Sequence, residues 1–235
     1  LGNGNLDASV GLSTNKTYIG AFDLNAATAG SVSINGVVFT NVVGNNPSSN
    51  GYFTTAGWAT GTSGGDTIGA GSGLDTLLNT FNYSTAGGPG QVETLTVSNL
   101  TAGQAYVLTF YSKSWGGAGG RVQNGISASG ASFTNFDENI GGANNANLLR
   151  YTFVATGAVE SATFDSIVNG SMHIYGFSVE QVFNNNWSSG SDWTTASWSG
   201  GVSNAVGANA NFIAQGAPTA INLDDNVTVG HVQLG

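Results

Sequence analysis

The sequence predicts an all-β protein: an antiparallel β-sandwich or jelly roll with one short helix, followed by a C-terminal β-rich unit. Three observations carry this. Apolar residues recur with period two in short runs rich in Val, Thr, Tyr and Phe. Gly, Asn and Ser punctuate these runs at short intervals, as turns between the strands of a sandwich require. A length of 235 residues, 40% of them hydrophobic, is enough to fill one large β core and a smaller appendage.

"TYIGAFDL" (17–24) is the first strand. In "SVSINGVVFTNVV" (31–43) the pair Asn35-Gly36 separates two β-branched runs, and a type I′ turn there makes a tight hairpin because both central positions need φ > 0. "LDTLLNTF" (74–81) breaks the alternation. Leu74, Leu77, Leu78 and Phe81 fall at i, i+3, i+4 and i+7, the stripe of a short amphipathic helix, with Ser72 or Gly73 near its cap and an open end of the sandwich for it to close. "QVETLTVSNL" (91–100) and "QAYVLTFYS" (104–112) follow, joined by the turn in "NLTAGQAY" (99–106). Their alternation puts Leu95 and Val97 on one buried face with Tyr106, Leu108 and Phe110. "LLRYTFVAT" (148–156) and "MHIYGFSVEQV" (172–182) complete a first unit spanning 1–182.

The texture changes after Val182. "FNNNWSSGSDWTTASWSGGVSNAVGANANF" (183–212) spaces Trp187, Trp193 and Trp198 almost regularly, and "TAINLDDNVTVGHVQLG" (219–235) returns to alternation through Val227 and Val229. A second unit therefore spans 183–235, with its boundary near residues 182–186.

Charge excludes several partners. Thirteen acidic against four basic residues leave a net charge of −9, and the basic residues are scattered, so neither nucleic acid nor an anionic membrane surface is a partner. No apolar run approaches the ~18 residues of a membrane-spanning helix, so no membrane insertion is expected of this segment. Only 7% of residues are charged, against roughly 25% in an average globular protein, and Asn, Ser and Thr carry the polar surface. With no cysteine, the chain holds neither disulfides nor thiolate metal sites, and its composition suits a secreted protein. Leu at position 1 reads as a processed piece of a longer precursor. Sequons such as those at Asn15, Asn82 and Asn169 arise by chance in so Asn-rich a chain.

No catalytic constellation emerges. "GTSGG" (61–65) fits G-x-S-x-G, but a nucleophile elbow needs a strand before it and a helix directly after. Neither His173 nor His231 has a nucleophile near it in sequence, and both read as structural. The acidic pairs Asp137-Glu138 and Asp224-Asp225 read as solvated carboxylates at strand ends, because neighbours on a strand point to opposite faces and cannot make the facing pair of a glycosidase. "AGSGLDTLL" (70–78) approximates a single calcium nonapeptide, but the helix reading of the same residues wins. No cofactor is expected apart from one structural calcium ion, for which the turn "NGNLD" (3–7) offers Asp7 as a ligand.

One stretch invites a ligand. "YSKSWGGAGGRVQNG" (111–125) brings Tyr111, Lys113, Trp115 and Arg121 around a loop otherwise of glycine and alanine. As plain structure it is a hairpin tip whose glycines supply φ > 0, with Arg121 pairing Asp137 or Glu138 or stacking on a ring. As a site, Trp115 is a stacking platform for a sugar ring and Arg121 a hydrogen-bond donor to its hydroxyls.

The C-terminal run "NWSSGSDWTTASWSGGV", "GANANF", "INLDDNVTVGHVQLG" resembles the start of the autotransporter-associated β-strand repeat of large secreted bacterial proteins. That resemblance implies a parallel β-helix, an extracellular stalk and no catalytic residues. Residues 17–182, through "INGVVF", "LTVSNLTAGQAYVLTFYSKSWGGAGGRV", "LLRYTF" and "IYGFSVEQV", are similar in outline to jelly-roll carbohydrate-binding modules and galactose-binding-like domains. The expectation is a non-catalytic, extracellular structural or adhesive surface protein, self-assembling into fibres through exposed strand edges, with Trp187, Trp193, Trp198, Val227 and Val229 in the assembly segment. The alternative is a carbohydrate-binding module that recognises a polysaccharide through Trp115 and Arg121.

Overall fold

A computed structural model describes residues 7, 10–24, 31–42, 51–62, 72–84, 88–142 and 145–182, and, further on, 184–189, 192–194, 197–198, 209–212, 222, 226–227, 229 and 231–234. In chain order the elements are β1 (Thr17–Leu24), β2 (Val32–Ile34), β3 (Val37–Val42), β4 (Phe53–Ala56), β5 (Ala59–Thr62), α1 (Gly73–Leu77), β6 (Thr80–Tyr83), β7 (Val92–Val97), β8 (Ala105–Lys113), β9 (Val122–Ser127), β10 (Ser132–Asp137), β11 (Ala146–Val154), β12 (Glu160–Val168), β13 (Gly176–Val182), β14 (Asn184–Ser189), β15 (Ser197–Trp198), β16 (Asn209–Phe212) and β17 (His231–Leu234).

Two sheets make the sandwich, one in the order β11-β8-β13-β1-β3-β2, the other β10-β9-β12-β7-β4. Alternation sends Phe22, Leu108, Phe110, Phe177 and Val179 of the first sheet into one core with Phe53, Leu95, Val97, Ala162 and Phe164 of the second. The pairings are antiparallel except for β1 with β3, which run parallel.

The six-stranded sheet is also covered on its outer face. Here Val32, Ile34, Val37, Phe39, Tyr111 and Tyr175 meet Leu74, Leu77, Leu78 and Phe81 in a second cluster. With both faces covered, every residue of β8 is buried. Ser72 caps α1 by accepting from Asp75 N at 3.0 Å. Gly73 lets the helix approach β2, since a Cβ there would lie 2.3 Å from the Ser33 carbonyl oxygen.

Several expectations are corrected. The helix ends at Leu77, because Thr80–Tyr83 pairs with Ala59–Thr62 as a strand, and it lies on the outer face of the sheet against β2 rather than across an open end. The joined strands β7 and β8 do share a core, but from opposite sheets. For the same reason the link from β8 to β9 is a crossover between sheets and not a hairpin. The Asn35-Gly36 hairpin is as expected, with φ of 51° and 80°.

In the C-terminal unit β14, β16 and β17 stack in parallel, aligning Asn184 with Asn209 and His231, and Asn186 with Asn211 and Gln233. Parallel strands in successive rungs are the arrangement of the start of a β-helix. Trp193 is buried with Ala210 and Phe212, and Val227 and Val229 pack on that cluster. Trp187 and Trp198 pair through their backbones; their side chains lie outside the described residues. So do Ser63 of "GTSGG" and residues 3–6.

Candidate functional site

The crossover from Ser114 to Arg121 is built on the turn that follows β10. Gly119 N donates to Asp137 Oδ2 at 2.6 Å, Trp115 N to Asn139 Oδ1 at 2.8 Å, and Ser114 Oγ to the Glu138 carbonyl at 2.7 Å. Asn139 N in turn donates to Asp137 Oδ1 at 2.9 Å, so each residue from 137 to 139 grips the crossover. Backbone and side-chain bonds of this number offset the entropy that a glycine-rich loop loses on ordering.

Glu138 is fully buried, which corrects the solvated carboxylate expected of it. Its Oε1 accepts from Ser112 Oγ at 2.6 Å and His173 N at 3.1 Å, and its Oε2 faces Arg121 Nε at 3.4 Å. Burial pushes its carboxyl up to about 8, against the pull of the Arg121 charge and the Ser112 and His173 hydrogen bonds. Beside it Glu93 is also held well above its ordinary range by burial, with the Ser171 hydroxyl opposing. Burial, then the charges of Arg121 and Lys113, lower His173 to about 2, so its ring is neutral.

Trp115 rises from this base with 45% of its surface exposed. Its indole Nε1 donates to the Tyr175 hydroxyl at 2.7 Å, and its ring meets Phe81 and His173 edge-on at centroid distances of 5.5 and 5.0 Å. His173 stacks on Phe81 at 4.2 Å, with Tyr83 half-buried 5.9 Å beyond it. The result is a cluster of aromatic rings in which Phe81, His173 and Tyr175 are buried, Tyr83 is half-buried and Trp115 is exposed, over a buried polar floor.

The other expected site residues lie elsewhere. Tyr111 is buried against Phe39 and shares a hydrogen bond with Ser178 Oγ, and Lys113 is fully buried with its Nζ 5.6 Å from the centre of the Tyr175 ring; neither reaches the surface at which a ligand could be met. Arg121 is turned inward, its Nε to Glu138 and its Nη1 donating to the Ser171 carbonyl. This is the internal pairing that competed with its donor role. Asp7 accepts from Gly73 N at 3.0 Å and Leu74 N at 2.9 Å, so both its carboxylate oxygens cap α1. Asn82 is buried and out of reach of glycosylation.

A second feature was missed in the sequence. A cleft of about 150 Å³ opens between the β8-β11 and β9-β10 sides of the sandwich, floored by Phe110, Phe133, Leu149, Tyr151 and Phe164. The Phe133 ring crosses Gly125, where a Cβ would lie 2.2 Å from it. Only the register between sheets assembles these residues, so no local pattern announces them.

No protein-family model matches the chain, and no curated protein matches it significantly. Solved structures similar to it include β-glucuronidase 2 of Bacteroides uniformis (10% identity, TM-score 0.51, covering 70% of this chain and 18% of that one). The ANXUR2 extracellular domain of Arabidopsis thaliana is similar at 13% identity and TM-score 0.52, covering 70% of this chain and 48% of that one. A family 35 carbohydrate-binding module of Clostridium thermocellum gives 12% identity and TM-score 0.36, over 54% of this chain and 90% of that one. The chain thus spans under a fifth of the glucuronidase and about half of the ANXUR2 domain. At these identities the first two likenesses are of fold, an all-β sandwich; the third is too loose to add to them. Among the described residues no helix is long and apolar enough to cross a membrane.

Proposed function

We propose that the sandwich is an extracellular carbohydrate-binding module whose platform is Trp115. One observation carries this: a tryptophan 45% exposed, yet held in a single orientation by its own hydrogen bond to Tyr175 and by the edges of Phe81 and His173. A hydrophobic ring left at the surface and immobilised beforehand suits stacking against the apolar face of a pyranose, with little entropy left to lose on binding. Tyr83 widens the surface. Arg121 is turned to Glu138 and the Ser171 carbonyl, so in this reading the backbone of the Gly116–Gly120 loop meets the sugar hydroxyls.

Affinity gel electrophoresis against a panel of neutral and acidic polysaccharides tests the reading. The intact protein is retarded by at least one of them, and Trp115→Ala abolishes the retardation while melting within a few degrees of the parent. No retardation by any polysaccharide refutes the proposal.

A structural or adhesive role is favoured by a different observation, the parallel stacking of β14, β16 and β17. Each rung offers its backbone to the next, and among the described residues β17 is the outermost strand of that sheet. Fibres of regular repeat under negative-stain electron microscopy support this role; dispersed particles at micromolar concentration refute it.

A further inference from the structure

We infer that β11 is a docking edge for a second copy of this chain, pairing antiparallel with its own equivalent to join two sandwiches about a two-fold axis. The inference is independent of glycan binding at Trp115. Among the described residues β11 ends the six-stranded sheet, and it pairs with β8 in a register unbroken over its 9 residues. At one end the Asn145 carbonyl accepts from Ser114 N, and at the other Ala155 N donates to the Gln104 carbonyl while its own carbonyl accepts from Gly103 N. In an antiparallel ladder successive residues turn their backbone groups to opposite sides. The odd-numbered residues therefore face β8, and Leu148, Arg150, Thr152 and Val154 turn their N–H and C=O groups outward.

Edge strands are normally blunted by lysines, prolines or bulges. β11 has none of these and a single charge, Arg150. Its local charge also admits a like partner. In a chain of net charge −9, two copies repel over most of their surfaces. Around this edge, however, Lys16 and Arg150 both reach Glu180, at 3.0 and 3.9 Å, so this patch carries no negative excess.

Side chains choose the register. Centring the axis on Arg150 opposes two like charges. Centring it on Tyr151 sets Arg150 against Thr152 and Leu148 against Val154, and uses every outward-facing residue named above. On the other face it sets Tyr151 against Tyr151 and Leu149 against Phe153, apolar upon apolar. Val154, 54% exposed in the single chain, is covered. Tyr151 and Leu149 also line the lateral cleft, so the second copy extends the cleft's apolar floor. The two-fold closes the assembly at a dimer.

Sedimentation equilibrium at concentrations up to about 200 µM tests this. The expected species has twice the chain mass, and Thr152→Pro weakens its dissociation constant at least tenfold while melting temperature and circular dichroism hold, since the lost N–H points away from β8. Val154→Lys does the same by charging the interface, and it decides the matter if the proline variant does not fold. The natural absence of cysteine permits a register test. Residues directly opposed in a non-hydrogen-bonded pair have Cα atoms about 4.5 Å apart, within disulfide reach. Tyr151→Cys therefore cross-links on mild oxidation and Leu149→Cys does not. A monomer at every concentration, a dimer indifferent to both edge variants, or cross-linking through position 149 in place of 151 overturns the inference.

Discussion

Replacing Glu138 by glutamine should change the pH dependence of stability more than stability itself. Glu138 titrates near 8 when folded, against an ordinary value of 4.5. Because the folded value is raised, the folded state holds a proton that the unfolded chain has released, and stability is lost as pH rises from about 4.5 through 8. At about 1.4 kcal/mol per pH unit, this one carboxyl accounts for a loss on the order of 5 kcal/mol across that window. For a chain of this length that corresponds to roughly 10–20 °C in melting temperature. Asp23, raised to about 7 by burial, and Glu93 act in the same direction. His173 acts oppositely, since its lowered value removes stability as pH falls below about 6.5. The wild type is accordingly most stable in mildly acidic solution and melts earlier at pH 8 than at pH 5. In Glu138→Gln the amide oxygen still accepts from Ser112 and His173 N, while its NH₂ faces the Arg121 guanidinium at a cost of about 1–3 kcal/mol. The variant thus melts below wild type at pH 5, and the gap narrows or reverses by pH 8. Differential scanning calorimetry at half-unit steps reads both curves. Parallel curves, or a wild type that gains stability from pH 5 to pH 8, would refute the reasoning.

Three further outcomes follow from the packing. Asp7→Ala uncaps the Gly73 and Leu74 amides and lowers stability by about 1 kcal/mol, a few degrees in a thermal melt, whether or not calcium is present. Gly125→Ala drives a methyl into the Phe133 ring at the lateral cleft and costs about 1–3 kcal/mol by denaturant titration, without affecting any polysaccharide retardation. Leu77→Ala, at a fully buried position where α1 meets the outer face of the sheet, costs about 2–5 kcal/mol in the same titration.

The strands were legible because their alternation is strong, and β1 falls on the residues that the pattern marks. Alternation tells which residues are buried but not in which sheet, so β7 and β8 share a core from opposite sheets and the loop holding Trp115 is a crossover. The apolar stripe at Leu74–Phe81 was real, but pairing with β5 overrides helical propensity after Leu77 and draws Phe81 in as a strand residue. The exposed ring at the site could be read from one tryptophan in a glycine loop. Its support could not, because Phe81, Glu138 and the His173–Tyr175 stretch converge from three separate segments. Adjacent carboxylates diverge on a strand, yet Glu138 sits in the turn after β10, where the chain folds it under the crossover. Tyr111 and Lys113 are hidden because a second layer covers the face of β8 that would otherwise be open.

The most direct test of the central claim is a ¹⁵N-edited NMR titration following the tryptophan indole N–H signals as an oligosaccharide fragment of a retarding polysaccharide is added. The Trp115 signal, assigned by its loss in Trp115→Ala, is predicted to shift and saturate ahead of the other four tryptophans. Saturation at another tryptophan with Trp115 unmoved, or no shift at any of them, would contradict the account.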